Sequence, residues 1–140
     1  MAAASKVLSI EEIFTPLAHP NVDALGCPFG YIDYQKDYEP AEFIRGLPSD
    51  PPIEVMNFGE EHIEEYFWIH PGENDEDAWH CLGRLKDQGK GSYYFYYTAS
   101  CDYTGFDCQG SMRMFVSKDK KKLWEEGMTA REREALIADR

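Results

Sequence analysis

Apolar and polar residues recur with helical spacing near both ends of the chain and alternate with period two through its middle. At the start, Ser9-Ile10-Glu11-Glu12 has the form of a capping box, with Ser9 as N-cap and Glu12 reaching back to it. Ile10, Ile13, Phe14 and Leu17 share one helical face, and Pro16 limits this helix to about two turns. The stretch from His19 to Gly30 (HPNVDALGCPFG) is turn chemistry. Pro40 suits a first helical position, so a short helix is predicted through PAEFIRGL before the break at LPSDPP.

From Ile53 the pattern changes to strands. IEVMNF alternates, and YFWIH within HIEEYFWIH reads as a second strand. In AWHCLGRL, Trp79, Cys81, Gly83 and Leu85 point one way and His80, Leu82 and Arg84 the other. DQGKG, with two glycines, is a hairpin loop. SYYFYYTASC is the clearest strand, rich in aromatics. Tyr93, Phe95, Tyr97, Ala99 and Cys101 would line one face of it, and Tyr94, Tyr96, Thr98 and Ser100 the other. A strand aromatic on both sides belongs inside a sheet covered on both faces. SMRMFVS returns as its partner. Ser117 can cap a helix through KDKKKLWEE with Gly127 as its stop, and Thr129-x-x-Glu132 is a second capping box opening AREREALIADR. Leu136 and Ile137 are the only large apolar residues of that last helix, so light packing is expected.

Together these elements predict one α+β domain spanning 1–140. A helix and an irregular segment occupy 1–52, an antiparallel meander of about four to five strands 53–117, and two helices 118–140. A chain of 140 residues is long enough to bury a core without staples.

Charge narrows the partners. The formal net charge is −12. No Lys or Arg lies between Arg45 and Arg84, an interval that contains ten acidic residues, among them Glu60, Glu61, Glu64 and Glu65. This argues against nucleic acid and against anionic membrane surfaces, both of which require clustered cations. It favours a basic protein partner. No apolar run is long enough to cross a membrane, and the first residues lack the basic and apolar regions of a signal peptide. Four cysteines without a secretory signal read as reduced thiols in a cytoplasmic protein.

Candidate chemistry centres on CDYTGFDC. Cys101 and Cys108 would face each other at the base of a six-residue loop, close enough to share a metal. With His80 and Cys81 on the neighbouring strand and Cys27 in a loop, a Cys/His zinc set could be assembled, although no pair has the two-to-four-residue spacing usual for structural zinc. Cys101 or Cys108 with His80 is also the one nucleophile–base arrangement available. The acidic ENDEDAW lacks the frame of an EF-hand loop. No P-loop, G-x-S-x-G or dinucleotide fingerprint occurs, and no cofactor is implied.

The sequence therefore supports a non-catalytic acidic module that binds a protein partner. Its surface would comprise Glu60, Glu61, Glu64 and Glu65 together with the aromatic residues Tyr94, Tyr96, Tyr103 and Phe106. The alternative is a small enzyme or zinc protein built on Cys101, Cys108, His80 and Cys81.

Overall fold

The computed structural model describes residues 7–25, 44–45, 60–72, 78–87, 91–103 and 108–140, with backbone only at 44–45, 101–103 and 108–112. Helix α1 (Ile10–Ile13) starts at the predicted capping box. The Ser9 hydroxyl accepts from the Glu12 N–H at 3.1 Å, and the Glu12 carboxylate accepts from the Ser9 N–H at 3.1 Å. The strands are β1 (Ile44–Arg45), β2 (Ile63–His70), β3 (Trp79–Leu85), β4 (Tyr94–Tyr103) and β5 (Cys108–Ser117). Helices α2 (Lys120–Glu126) and α3 (Ala130–Asp139) close the chain.

The architecture is α+β. Strands β2 to β5 form the expected antiparallel meander, each pairing with the next. The sheet order is β1-β5-β4-β3-β2, and β1 joins β5 in parallel through Ile44↔Met114 and Arg45↔Phe115. Ile44 and Arg45 lie inside the stretch expected to be helical. Their partners on β5 determine their conformation, and an edge of a sheet outweighs a weak local preference. The strand predicted over IEVMNF lies outside the described residues.

Period-two alternation puts a separate core on each face of the sheet. Phe95, Tyr97 and Ala99 of β4 join Cys81, Leu85, Met114, Val116, Ile63 and Leu25 on one side. Tyr96 joins Phe67, Trp68 and Leu82 on the other, beneath Ile13 and Phe14, Leu123 and Met128, and Leu136. All three described α-helices therefore pack on this second face. Leu136 is fully buried, worth about 1.5–3 kcal/mol.

Polar ties supplement that thin apolar contact at both ends of α3. Near its start, Arg113 of β5 pairs with Glu132. At its end, Asp139 accepts from the Trp68 indole N–H at 2.8 Å, and the Arg140 guanidinium donates to the Phe67 and Ile13 carbonyls at 2.6 and 2.8 Å.

Two local expectations change. The N-cap of α2 is Asp119, whose carboxylate accepts from the Lys121 and Lys122 N–H groups. Ser117 instead accepts from the Asp119 N–H at 3.0 Å. Gly127 does follow α2, but with φ of −85° it needs no left-handed freedom. A Cβ there would come within 2.7 Å of the Leu123 carbonyl and 2.8 Å of the Phe115 ring. Close packing explains this glycine.

Candidate functional site

Of the expected metal set, His80 and Cys81 do not share a face, and Cys27 and the side chains of Cys101 and Cys108 lie outside the described residues. His80 and Cys81 are neighbours on β3 and project to opposite faces. Cys81 is 1% exposed within the first core, where burial pushes its thiol pKa up and disfavours the thiolate. His80 belongs to the helical face, against Trp68 and Tyr96. The cysteines of the loop are not opposed either. The register pairs Cys101 with Gly110 and Cys108 with Tyr103. β4 runs two residues further than the sequence suggests and β5 begins three residues earlier, because pairing continues to Tyr103↔Cys108 and leaves only residues 104–107 between them. Phe106 lies outside the described residues, and Tyr103 is described by backbone alone. Among the described residues, no three His, Cys, Asp or Glu side chains converge on a common point suited to a metal.

The described part of the aromatic surface expected to meet a partner, Tyr94 and Tyr96, is largely covered. Tyr96 is fully buried. Tyr94 is half-buried, with its ring 5.5 Å from that of Phe14 and the Lys120 ammonium 5.4 Å from its centre. Alternation does put both on one face, but that face is the one the helices occupy.

The acidic residues lie at the β2 edge of the sheet. Glu60 and Glu61 occupy a 3-10 turn leading into β2, and Glu64 is on the strand. All three are exposed. Glu65 is partly covered and accepts from Arg84 Nε at 3.0 Å. The edge itself is blunted. Two register irregularities interrupt β2, the Tyr66 carbonyl accepts from the Leu17 N–H at 2.8 Å, and the Phe67 carbonyl accepts from Arg140. Bulges, charge and covered carbonyls all oppose addition of another strand.

The most developed polar arrangement lies on the helical face. His80 Nδ1 is 2.6 Å from the Tyr96 hydroxyl oxygen. The imidazole stacks on the Trp68 indole, with centroids 4.8 Å apart and planes 13° from parallel. The Tyr96 hydroxyl also hydrogen-bonds the Glu132 carboxylate and contacts the Thr98 hydroxyl. Burial, and then the Glu132 charge, raise the Tyr96 pKa, so the phenol keeps its proton. Burial also opposes ionisation of Glu132. Hydrogen bonds from the Thr129 N–H, Arg113 and Tyr96, with the Arg113 charge, outweigh it and hold the carboxyl below its ordinary range. An ionised Glu132 can only accept. Tyr96 therefore donates to Glu132, and its oxygen accepts from Nδ1–H of His80. The Arg113 guanidinium also lies over the Tyr96 ring, 5.6 Å from its centre.

This chain ends at a cleft of about 490 Å³ lined by Ala78, His80, Thr98, Thr129, Arg131, Glu132 and Ala135. His80 forms part of its wall at 8% exposure. Sequence reasoning singled out His80 but assigned it the wrong partners, and it read Glu132 only as a capping residue. Glu132 does cap α3, accepting from the Thr129 N–H at 2.8 Å. Its second role, joining Arg113 to Tyr96, depends on how α3 docks on the sheet. The aromatic strand signalled Tyr96 but not the identity of its neighbours.

No protein-family model, curated protein or solved structure matches the chain.

Proposed function

We propose that this chain is a ligand-binding domain whose site is the cleft between β3, β4 and the first turn of α3. The chain Arg113–Glu132–Tyr96–His80 carries the reading, because it brings a buried, oriented histidine to a concave surface. The cleft volume falls within the range usual for small-molecule sites. Few charged groups are left to solvate inside it, since Glu132 is already paired with Arg113. Backbone NMR of the full chain during titration with polar fragments tests the reading. Saturable shifts grouped at His80, Thr98, Thr129 and Ala135 are expected. Shifts confined to other surfaces would overturn it.

A second reading is a protein-interaction module for a basic partner. The observation favouring it is the exposure of Glu60, Glu61 and Glu64 together at one edge. Charge reversal at Glu60, Glu61, Glu64 and Glu65 would then weaken capture of a basic partner and flatten its salt dependence. If neither changes, these residues only confer solubility.

A further inference from the structure

We infer that the cleft takes a small hydroxycarboxylate, with the carboxylate at Arg131 and Thr129 and the hydroxyl at Thr98. The inference rests on the reading of the cleft as a ligand site and assigns it a chemical class. The polar lining is divided into a donating end and an accepting end. At the start of α3, the Arg131 guanidinium has no ion-pair partner among the described residues. Beside it, the Thr129 oxygen accepts from the Glu132 N–H at 3.2 Å, which leaves its hydroxyl hydrogen to donate. Both groups therefore present hydrogens, and a planar guanidinium suits a carboxylate in a two-point contact.

On β4 the polarity is reversed. The Thr98 hydroxyl donates to the Trp79 carbonyl at 2.9 Å, so its oxygen is left to accept. A ligand hydroxyl satisfies it, whereas a second carboxylate does not. Ala78 and Ala135 supply small apolar wall for a short carbon skeleton. A metal cation fits poorly. The one carboxylate lining the cleft is neutralised by Arg113, and Arg131 adds a positive charge.

The experiment uses the full chain and three probes: L-malate, succinate, which lacks the hydroxyl, and glycerol, which lacks the carboxylates. Binding is followed by NMR at Thr98, Thr129 and Ala135. Malate is expected to give saturable shifts below about 10 mM and to bind about tenfold more tightly than either other probe. Arg131→Gln, at an exposed position, should weaken malate about tenfold while leaving glycerol unchanged. The Glu60→Lys/Glu61→Lys/Glu64→Lys variant should bind malate like the parent. Succinate equal to malate would overturn the hydroxyl assignment. Glycerol equal to malate, or an Arg131→Gln variant with unchanged malate affinity, would overturn the carboxylate class and leave the cleft as a ligand site. No saturable shift with any probe would overturn both the class and the site.

Discussion

The Nδ1 atom of His80 lies 2.6 Å from the hydroxyl oxygen of Tyr96, a diagonal neighbour across the β3–β4 ladder. Both side chains are at least nine-tenths buried, so the Nδ1–H of the imidazole takes its acceptor from Tyr96 and not from water. Tyr96→Phe preserves the ring and removes only the oxygen. It leaves an imidazole N–H without its acceptor, at a cost of about 1–3 kcal/mol. Calorimetry should show a melting temperature lower by roughly 4 °C for each kcal/mol. An unchanged melting temperature would mean that the hydroxyl does not hold these elements together.

Glu132 sets an acid limit on stability. Its carboxyl pKa is lower in the folded chain than the ordinary glutamate value. A carboxyl of this kind stabilises fully above its unfolded pKa of about 4.3, and that contribution is lost as pH falls through the folded value. Glu132→Gln should flatten the stability profile in that acid window. At neutral pH it should cost roughly 1–2 kcal/mol, the lower part of the range for charged hydrogen bonds because the Arg113 side chain is 40% exposed. Denaturant melts of both proteins between neutral and acid pH check this. Parallel profiles would refute it.

Gly83 has no room for a side chain. A Cβ there would lie 2.7 Å from the Glu65 carbonyl oxygen and 2.7 Å from the Phe95 ring. The backbone oxygen cannot move without disturbing the β2–β3 ladder. Gly83→Ala should therefore destabilise by about 1–3 kcal/mol despite alanine's smaller entropy cost on folding. Gly91, with φ of +90°, is a different case, because a Cβ there would meet only the Lys118 side chain at an ordinary 3.7 Å and its backbone is the constraint. Urea melts of the two alanine variants would separate packing from backbone strain.

The acidic edge contributes little to folding. Replacing Glu60, Glu61 and Glu64 with lysine should change stability by less than about 1 kcal/mol, since exposed charges interact weakly through water. Glu65→Lys should cost more, because it sets two cations against each other where the Arg84 pair now stands. Thermal melts at low and high salt distinguish the two, and salt should reduce only the second effect.

Asp139 fastens the end of α3 by accepting from the Trp68 indole at 2.8 Å while lying 2.7 Å from His70 Nδ1. Asp139→Ala should speed amide exchange in the last turn of α3 more than in its first, which Glu132 still holds. Uniform acceleration along α3 would indicate that the helix opens as one unit.

Much of the fold is legible because it is encoded locally. The capping boxes at Ser9 and Thr129 each bring their two partners within three residues. The alternation of β3 and β4 assigns Cys81 and Leu85 to one face and Leu82 to the other without knowledge of what covers either. The short parallel strand at Ile44 is not legible, since its partner is some seventy residues away in sequence. The candidate site was half visible. His80 and Tyr96 stood out, but the expected companions of His80 were Cys81, which a one-residue step along the strand puts on the other face, and Cys101 and Cys108, whose register depends on how β4 and β5 pair.

By itself, the sequence determined the starts of α1 and α3, the two-faced aromatic strand, the meander and the concentration of negative charge, all of which follow from local motifs, periodicity and composition. The tertiary structure decided which face the helices cover, how far β4 and β5 stay paired beyond Cys101, and that Glu132 reaches Tyr96. These depend on contacts between residues distant along the chain, where packing and hydrogen-bond satisfaction choose among partners that local preference leaves equivalent.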